Sequence, residues 1–365
     1  MKLKEIKLHF RKFDWFLFFL FFLLSCFGLF LIFSTSVYQK NFLYLKKQIF
    51  FVFLGIFLAI FVSFIDWRDF RENRFLFYFL YFLCTILLFL LLIFGPTIRG
   101  TKTWYHFFVF NFDPLEPLKF SLLFLWAIIF SKNQSEILSL KKILISFLLI
   151  LPPFILTALQ PNIGSFLPIF FSWLIVVFLF SLRPKFLLVI FAIFLLFFFI
   201  QWNFLLKPYQ KERIISFFFQ KNSDSKLSWQ QTQSKIAIGS GGIFGKGILK
   251  STQGKLGFLP EAKTDFIFSV FAEEFGFFGV LVLFFLFFLL IKRILDVGLK
   301  KNSNFTRILS FAFGAQILSE VFINSAMNLG ILPVIGVPFP FLSYGGSNLL
   351  LKFAFLGVLE SIQTH

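Results

Sequence analysis

Long apolar stretches separated by short polar ones run the length of this chain. Ten of them approach the roughly 20 apolar residues that a helix needs to cross a bilayer. They lie at approximately 14–33, 49–65, 75–95, 118–130, 143–159, 163–182, 186–206, 266–291, 307–331 and 341–360. The pattern predicts an all-α polytopic membrane protein of about ten transmembrane helices, folded as a single membrane domain over residues 1–365. The fourth stretch is short and begins among Pro114, Pro117 and Lys119, and the fifth carries Pro152 and Pro153. Both are expected to be kinked or broken and packed against protein, because backbone that leaves the helix cannot face lipid. The first stretch is too long and too heavily flanked for a cleaved signal peptide, and a retained helix is expected.

The polar segments between the stretches set the orientation. With the N-terminus inside, the cytoplasmic segments carry eighteen Lys and Arg, while the short outer loops carry five: Lys40, Lys46, Lys47, Arg99 and Lys102. The positive-inside rule then places both termini in the cytoplasm, and ten spans agree with that parity. Residues 207–264 stand apart as one large extracytoplasmic loop with ten basic residues against Glu212, Asp224 and Glu261. Long loops translocate largely regardless of charge, so its position is no objection. Such a surface is either a solvated loop drawn to anionic lipid or a cationic face for a membrane-borne phosphate ester.

Composition removes the remaining classes. The 365 residues are 58% hydrophobic and 14% charged, far from a soluble domain. A net charge of +18 would suggest nucleic acid in a soluble protein, but here most of it fixes topology. The 68 phenylalanines read as lipid-facing and packing material. Cys26 and Cys84 both sit in apolar runs and offer neither a disulfide framework nor a CxxC site. His9, His106 and His365 are isolated, so no metal-ligand spacing exists.

Candidate chemistry gathers at a few places. Gly239, Gly241, Gly242, Gly245 and Gly247 allow tight turns or close approach of amides to an anion, without P-loop spacing. Asp265, where the loop enters the eighth stretch, is either a helix cap or a general base. Glu116 with Lys119, Glu273 with Glu274, and Glu320 lie in or beside apolar stretches, where burial demands partners. Glu320, Asn324 and Asn328 recur every four residues as a polar stripe. The run NSAMNLGILPVIGVPFPFLSYGGSN, residues 324–348, implies a re-entrant or broken segment lining a cavity. From composition alone a transporter would stand first.

The stretches 233–279 and 324–347, with FLPEAKTDFIF, GKG and STQ inside the first, resemble the SEDS family of polytopic peptidoglycan glycosyltransferases, its elongation branch more than its division branch. The resemblance extends over nearly the whole chain. It implies polymerisation of lipid II, with Asp265 of TDF as the base for the acceptor hydroxyl and undecaprenyl pyrophosphate leaving. It further implies Arg213 (within KPYQKERIISFF), Lys246 and Lys255 as cationic neighbours, Glu116 and Lys119 as organisers of the central cavity, and Gln233 and Ser343 as further substrate-binding positions. A class B penicillin-binding protein is the implied partner, with no nucleic acid, in the bacterial cytoplasmic membrane. No cofactor is evident, though Mg²⁺ or Mn²⁺ would suit a departing pyrophosphate. A flippase or a noncatalytic cell-wall scaffold are the alternatives. The chain departs from the family pattern at Thr103, Asp113, Leu115, Pro117 and Asn162, and Asn162 removes a carboxylate.

Overall fold

The computed structural model describes residues 3–39, 41–97, 101–106, 111–131, 139–162, 164–180, 226–255, 257–259 and 261–365, with isolated positions 199, 203 and 211. The seventh predicted stretch, 186–206, and the first part of the long loop lie outside the described residues, apart from those isolated positions.

The other nine predicted stretches are helices. After a short basic helix α1 (Leu3–Lys12) come α2 (Trp15–Gln39), α3 (Leu43–Ser63), the single turn-and-a-half α4 (Trp67–Glu72) and α5 (Arg74–Phe94). A two-residue hairpin, β1 (Tyr105–His106) with β2 (Asn111–Phe112), leads into α6 (Leu115–Phe130), α7 (Leu140–Leu159) and α8 (Leu167–Phe180). The second part of the loop forms α9 (Lys226–Ser240) and α10 (Thr252–Lys255). Three helices close the fold: α11 (Ile267–Lys300), α12 (Asn304–Leu329) and α13 (Gly346–Thr364). Six of these, α2, α3, α5, α7, α11 and α12, are long and apolar enough to cross a membrane.

Burial sorts the helices. On α3, Phe50, Phe53, Phe57 and Phe61 are exposed on one face, the stripe expected of a lipid-facing surface. The opposite face, Phe51, Val52, Gly55, Ala59 and Ser63, packs on α13. That contact is close because small residues permit it: a Cβ on Gly55 would stand 2.6 Å from the Phe353 ring, and one on Gly357 would stand 2.5 Å from the Ala59 carbonyl. Helix α12 is the hub, buried along most of its length and packed against α6, α8 and α11.

The helix breaks fall elsewhere than the prolines suggest. Pro114 is the N-cap of α6 and Pro117 lies in its first turn, where no intrahelical donor is lost, so α6 runs unbroken. Helix α7 continues across Pro152 and Pro153. The interruptions are at Gly276, inside α11, and in the non-helical stretch from Gly330 to Gly345 between α12 and α13. The latter agrees with the broken segment expected from its sequence, and Val337, Phe339, Phe341 and Leu342 within it are fully buried. Helix α13 accordingly begins at Gly346, five residues later than the apolar stretch.

Candidate active site

Asp265 occupies the turn that leads into α11. The helix N-cap is Phe266, one residue beyond, so Asp265 does not occupy the capping position itself. What holds this turn is its own main chain. The Lys263 carbonyl accepts from the Tyr344 amide at 2.8 Å, the Thr264 carbonyl from the Ser343 hydroxyl at 2.6 Å, and the Asp265 carbonyl from the side-chain amides of Asn324 at 3.1 Å and Asn328 at 2.9 Å. Three successive carbonyls are thus tied to α12 and to the broken segment, each by a bond worth about 1 kcal/mol net. Asn324 also donates to the Val337 carbonyl at 2.6 Å, so one side chain joins the turn, α12 and the broken segment. The side chain of Asp265, half-buried, lies against Gly336, where a Cβ would stand 3.6 Å from Oδ2.

The polar stripe on α12 therefore divides in two. Asn324 and Asn328 serve the turn; Ser269 and Ser234 both donate to the Asn328 Oδ1, at 2.5 and 3.4 Å, which fixes the orientation of its amide. Glu320 belongs to an ionic cluster among α6, α12 and α13. There Lys119 donates to Glu116 at 2.8 Å, Asn348 donates to the other Glu116 oxygen at 3.1 Å, and Lys352 donates to Asn348 and forms an ion pair with Glu320 at 2.8 Å. Gln316 donates to Glu320 at 3.0 Å. All four charged groups are buried, so two anions and two cations neutralise one another where an isolated charge would be untenable. Lys352 was not anticipated from the sequence; the signal was a lone Lys inside the last apolar stretch. Asp113, just before α6, is pushed up to about 7 by burial and by the neighbouring Glu116.

The glycine-rich run is a structural plug. Gly276 has φ +67° and ψ −169°, which interrupts α11 and strands the carbonyls of the preceding turn. The loop fills that gap: the Lys246 and Gly247 amides donate to the Glu273 and Glu274 carbonyls at 2.9 and 3.0 Å, and the Phe277 and Phe278 amides donate to the Gly242 and Ile243 carbonyls at 2.9 and 3.0 Å. The approach requires glycine, since a Cβ on Gly276 would lie 2.2 Å from the Gly245 nitrogen. These amides are committed to protein, which settles the choice between turn and anion cradle in favour of the turn.

Lys246 is committed as well. Its ammonium donates to Glu273 at 2.6 Å and to Thr252 at 2.8 Å. Glu273 is fully buried and also accepts from the Ser251 hydroxyl at 2.5 Å, the Thr252 hydroxyl at 2.6 Å and the Thr252 amide at 2.8 Å. Lys246, expected as a cationic neighbour of the pyrophosphate, is here paired with Glu273, and its charge anchors the loop to α11. Ser343 is likewise engaged in the backbone, accepting from the Phe339 amide at 2.8 Å while donating to Thr264. Glu274, next to Glu273 in sequence, is buried and accepts from Ser34 of α2. Gln233 sits half-buried on α9, Lys255 ends α10, and Arg213 lies outside the described residues. Asn162, the site of the lost carboxylate, accepts from the Ser165 hydroxyl at 2.9 Å in the turn before α8.

Lys263, two residues before Asp265, is the cation that the sequence reading passed over. The residue is 7% exposed and its Nζ lies 4.8 Å from the centre of the Tyr44 ring. Burial pulls its ammonium below the usual lysine range.

Comparison with known proteins gives this geometry its family. The model FTSW_RODA_SPOVE, described as a cell cycle protein, matches residues 14–365. The peptidoglycan glycosyltransferase MrdB of Escherichia coli K12 is 38% identical over 77% of this chain and 76% of its own length. A probable peptidoglycan glycosyltransferase FtsW of Geobacter sp. strain M18 is 31% identical over 94% of each chain. Among solved structures, a chain from a study of how a peptidoglycan synthase complex coordinates polymerization and crosslinking aligns with a TM-score of 0.79, at 30% identity over 96% of this chain and 97% of that one. The rod shape determining protein RodA of Thermus thermophilus aligns with a TM-score of 0.69, at 29% identity over 96% of each. The chain belongs to the FtsW, RodA and SpoVE family of multi-pass membrane peptidoglycan glycosyltransferases.

Proposed function

We propose that this protein polymerises lipid II into glycan strands during cell elongation, with Asp265 as general base. The 4-hydroxyl of the acceptor's terminal GlcNAc attacks C1 of the donor MurNAc. The new C1–O bond forms as the bond from C1 to the pyrophosphate oxygen breaks; the hydroxyl proton passes to the Asp265 carboxylate, and undecaprenyl pyrophosphate departs with the electron pair. The observation that supports this reading is the threefold clamp on the main chain of residues 263–265, which engages the turn's carbonyls and fixes the backbone that carries the Asp265 side chain at the start of α11. A base so held loses little freedom on reaching the transition state.

The remaining assignments rest on the family resemblance. Both termini are cytoplasmic and the 207–264 loop faces outward, with Arg213, Lys255 and Gln233 as substrate contacts. Glu116 and Lys119 organise the interior beneath the site. The partner is a class B penicillin-binding protein, which supplies crosslinking. The described residues bring no three His, Cys, Asp or Glu side chains together at one point. A Mg²⁺ or Mn²⁺ ion would suit the departing pyrophosphate, whose charge it would neutralise.

The test is glycan synthesis from lipid II by the purified protein. Asp265→Ala is expected to abolish polymer while the protein remains folded and monodisperse; polymer of unchanged length from that variant would overturn the assignment.

A further inference from the structure

Burying an ammonium without hydrogen-bond acceptors is costly, and proteins that do so have a reason. Lys263 is such a case. Its Nζ is buried with no hydrogen-bond partner among the described residues, and the residue as a whole is only 7% exposed. The contact it does make, with the face of Tyr44 at 4.8 Å, holds the charge without accepting any of its three N–H bonds. Tyr44 is itself fixed edge-on against Tyr344 at 4.9 Å, and the Tyr344 amide closes the circle by binding the Lys263 carbonyl at 2.8 Å. Two aromatic rings and a clamped backbone therefore preorganise an ammonium two residues from Asp265, with its donors unspent.

Of the three cations expected here, Lys246 is paired with Glu273. The leaving group of the proposed transfer carries a diphosphate, and donors aimed at developing phosphate charge are what such a step requires. We infer that Lys263, seated on Tyr44, binds the diphosphate of the lipid-linked sugar donor. The inference takes its ligand from the glycosyl-transfer reading above. It adds a contact to substrate by a residue that neither the periodicity nor the spacing of the chain singles out.

Farnesyl diphosphate is a soluble probe for this contact, with farnesol as the control lacking the charge. Binding to the purified full-length protein is measured for the wild type, Lys263→Met and Lys263→Gln; the glutamine keeps length and polarity should the methionine variant fold poorly. Both substitutions are expected to weaken farnesyl diphosphate at least about tenfold, the cost of losing a charge-assisted contact, and to leave farnesol unchanged. Equal diphosphate affinity in wild type and variants, parallel loss of farnesol, or no binding of the diphosphate by the wild type would each overturn the inference. Its fate is separable from that of the transfer reading: diphosphate binding that depends on Lys263, in a protein that makes no glycan from lipid II, would sink the reaction and keep the site.

Discussion

The side-chain amide of Asn328 donates to the backbone carbonyl of Asp265 at 2.9 Å, so α12 grips the main chain of the proposed base through its carbonyl. Asn324 grips the same oxygen at 3.1 Å, and the two asparagines are joined to each other by a 2.9 Å bond from the Asn328 amide to the Asn324 carbonyl. Their contribution is placement.

Asn328→Ala is therefore expected to lower kcat for lipid II polymerisation by about tenfold to a hundredfold with little change in KM, because a displaced base slows the chemical step more than binding. Its cost to stability is about 1–3 kcal/mol, from the carbonyl and serine hydroxyls it leaves unsatisfied. Rates at saturating lipid II, alongside thermal unfolding in detergent, measure both. A variant with normal kcat would show that the clamp is dispensable.

For Lys246 and Glu273 the expectation is different. Lys246→Met removes a loop anchor, so protease cleavage between residues 241 and 255 should rise while the affinity for farnesyl diphosphate changes less than about threefold. Glu273→Ala should open the loop further, since five donors lose their acceptor at once. Limited proteolysis followed by mass spectrometry reads the effect directly, and a diphosphate affinity that collapses in Lys246→Met would return that lysine to the substrate site.

The pair of Glu320 with Lys352 offers a double-mutant cycle. Lys352→Met alone leaves a buried carboxylate with one cation fewer and is expected to cost about 3–5 kcal/mol; the double change Glu320→Gln with Lys352→Met should recover a good part of that loss. Unfolding midpoints of the four proteins supply the coupling. Additive losses would mean that the pair is not coupled.

A pH dependence follows from Asp113, whose carboxyl is raised from the ordinary 3.8 to about 7. The folded state holds this proton more tightly than the unfolded chain does. Its contribution to stability is complete below about pH 4 and is lost as the pH rises through about 7. Relative to Asp113→Asn, which cannot titrate, the wild type should lose stability between pH 5 and pH 8. A constant difference in unfolding midpoint across that range would refute the assignment.

Much of the architecture was legible in the sequence because a bilayer filters segments by length and polarity alone. Nine of the ten apolar stretches appear as helices, within the described residues, on that criterion. What escaped were relationships between distant positions. The four-residue spacing of Glu320, Asn324 and Asn328 was visible, but its targets are backbone oxygens, which have no letter of their own. Lys246 looked available because its partner Glu273 lies 27 positions further on, across the loop. Lys352 was submerged in the apolar average of its own stretch, and only its buried anion Glu320 gives it meaning. Pro152 and Pro153 advertised a break that α7 does not have, whereas Gly276 supplied a real one without drawing notice in a run of apolar residues.

The interruption at Gly276 also bears on how the protein comes to be built. Until the loop arrives, the carbonyls of Glu273 and Glu274 and the amides of Phe277 and Phe278 have no mates, and lipid can offer them none. The loop precedes α11 in the chain, so it is synthesised first and must wait for the helix to follow. Insertion of α11 and docking of the loop are then one cooperative event, and this end of the enzyme matures only when a transmembrane segment made after it is in place.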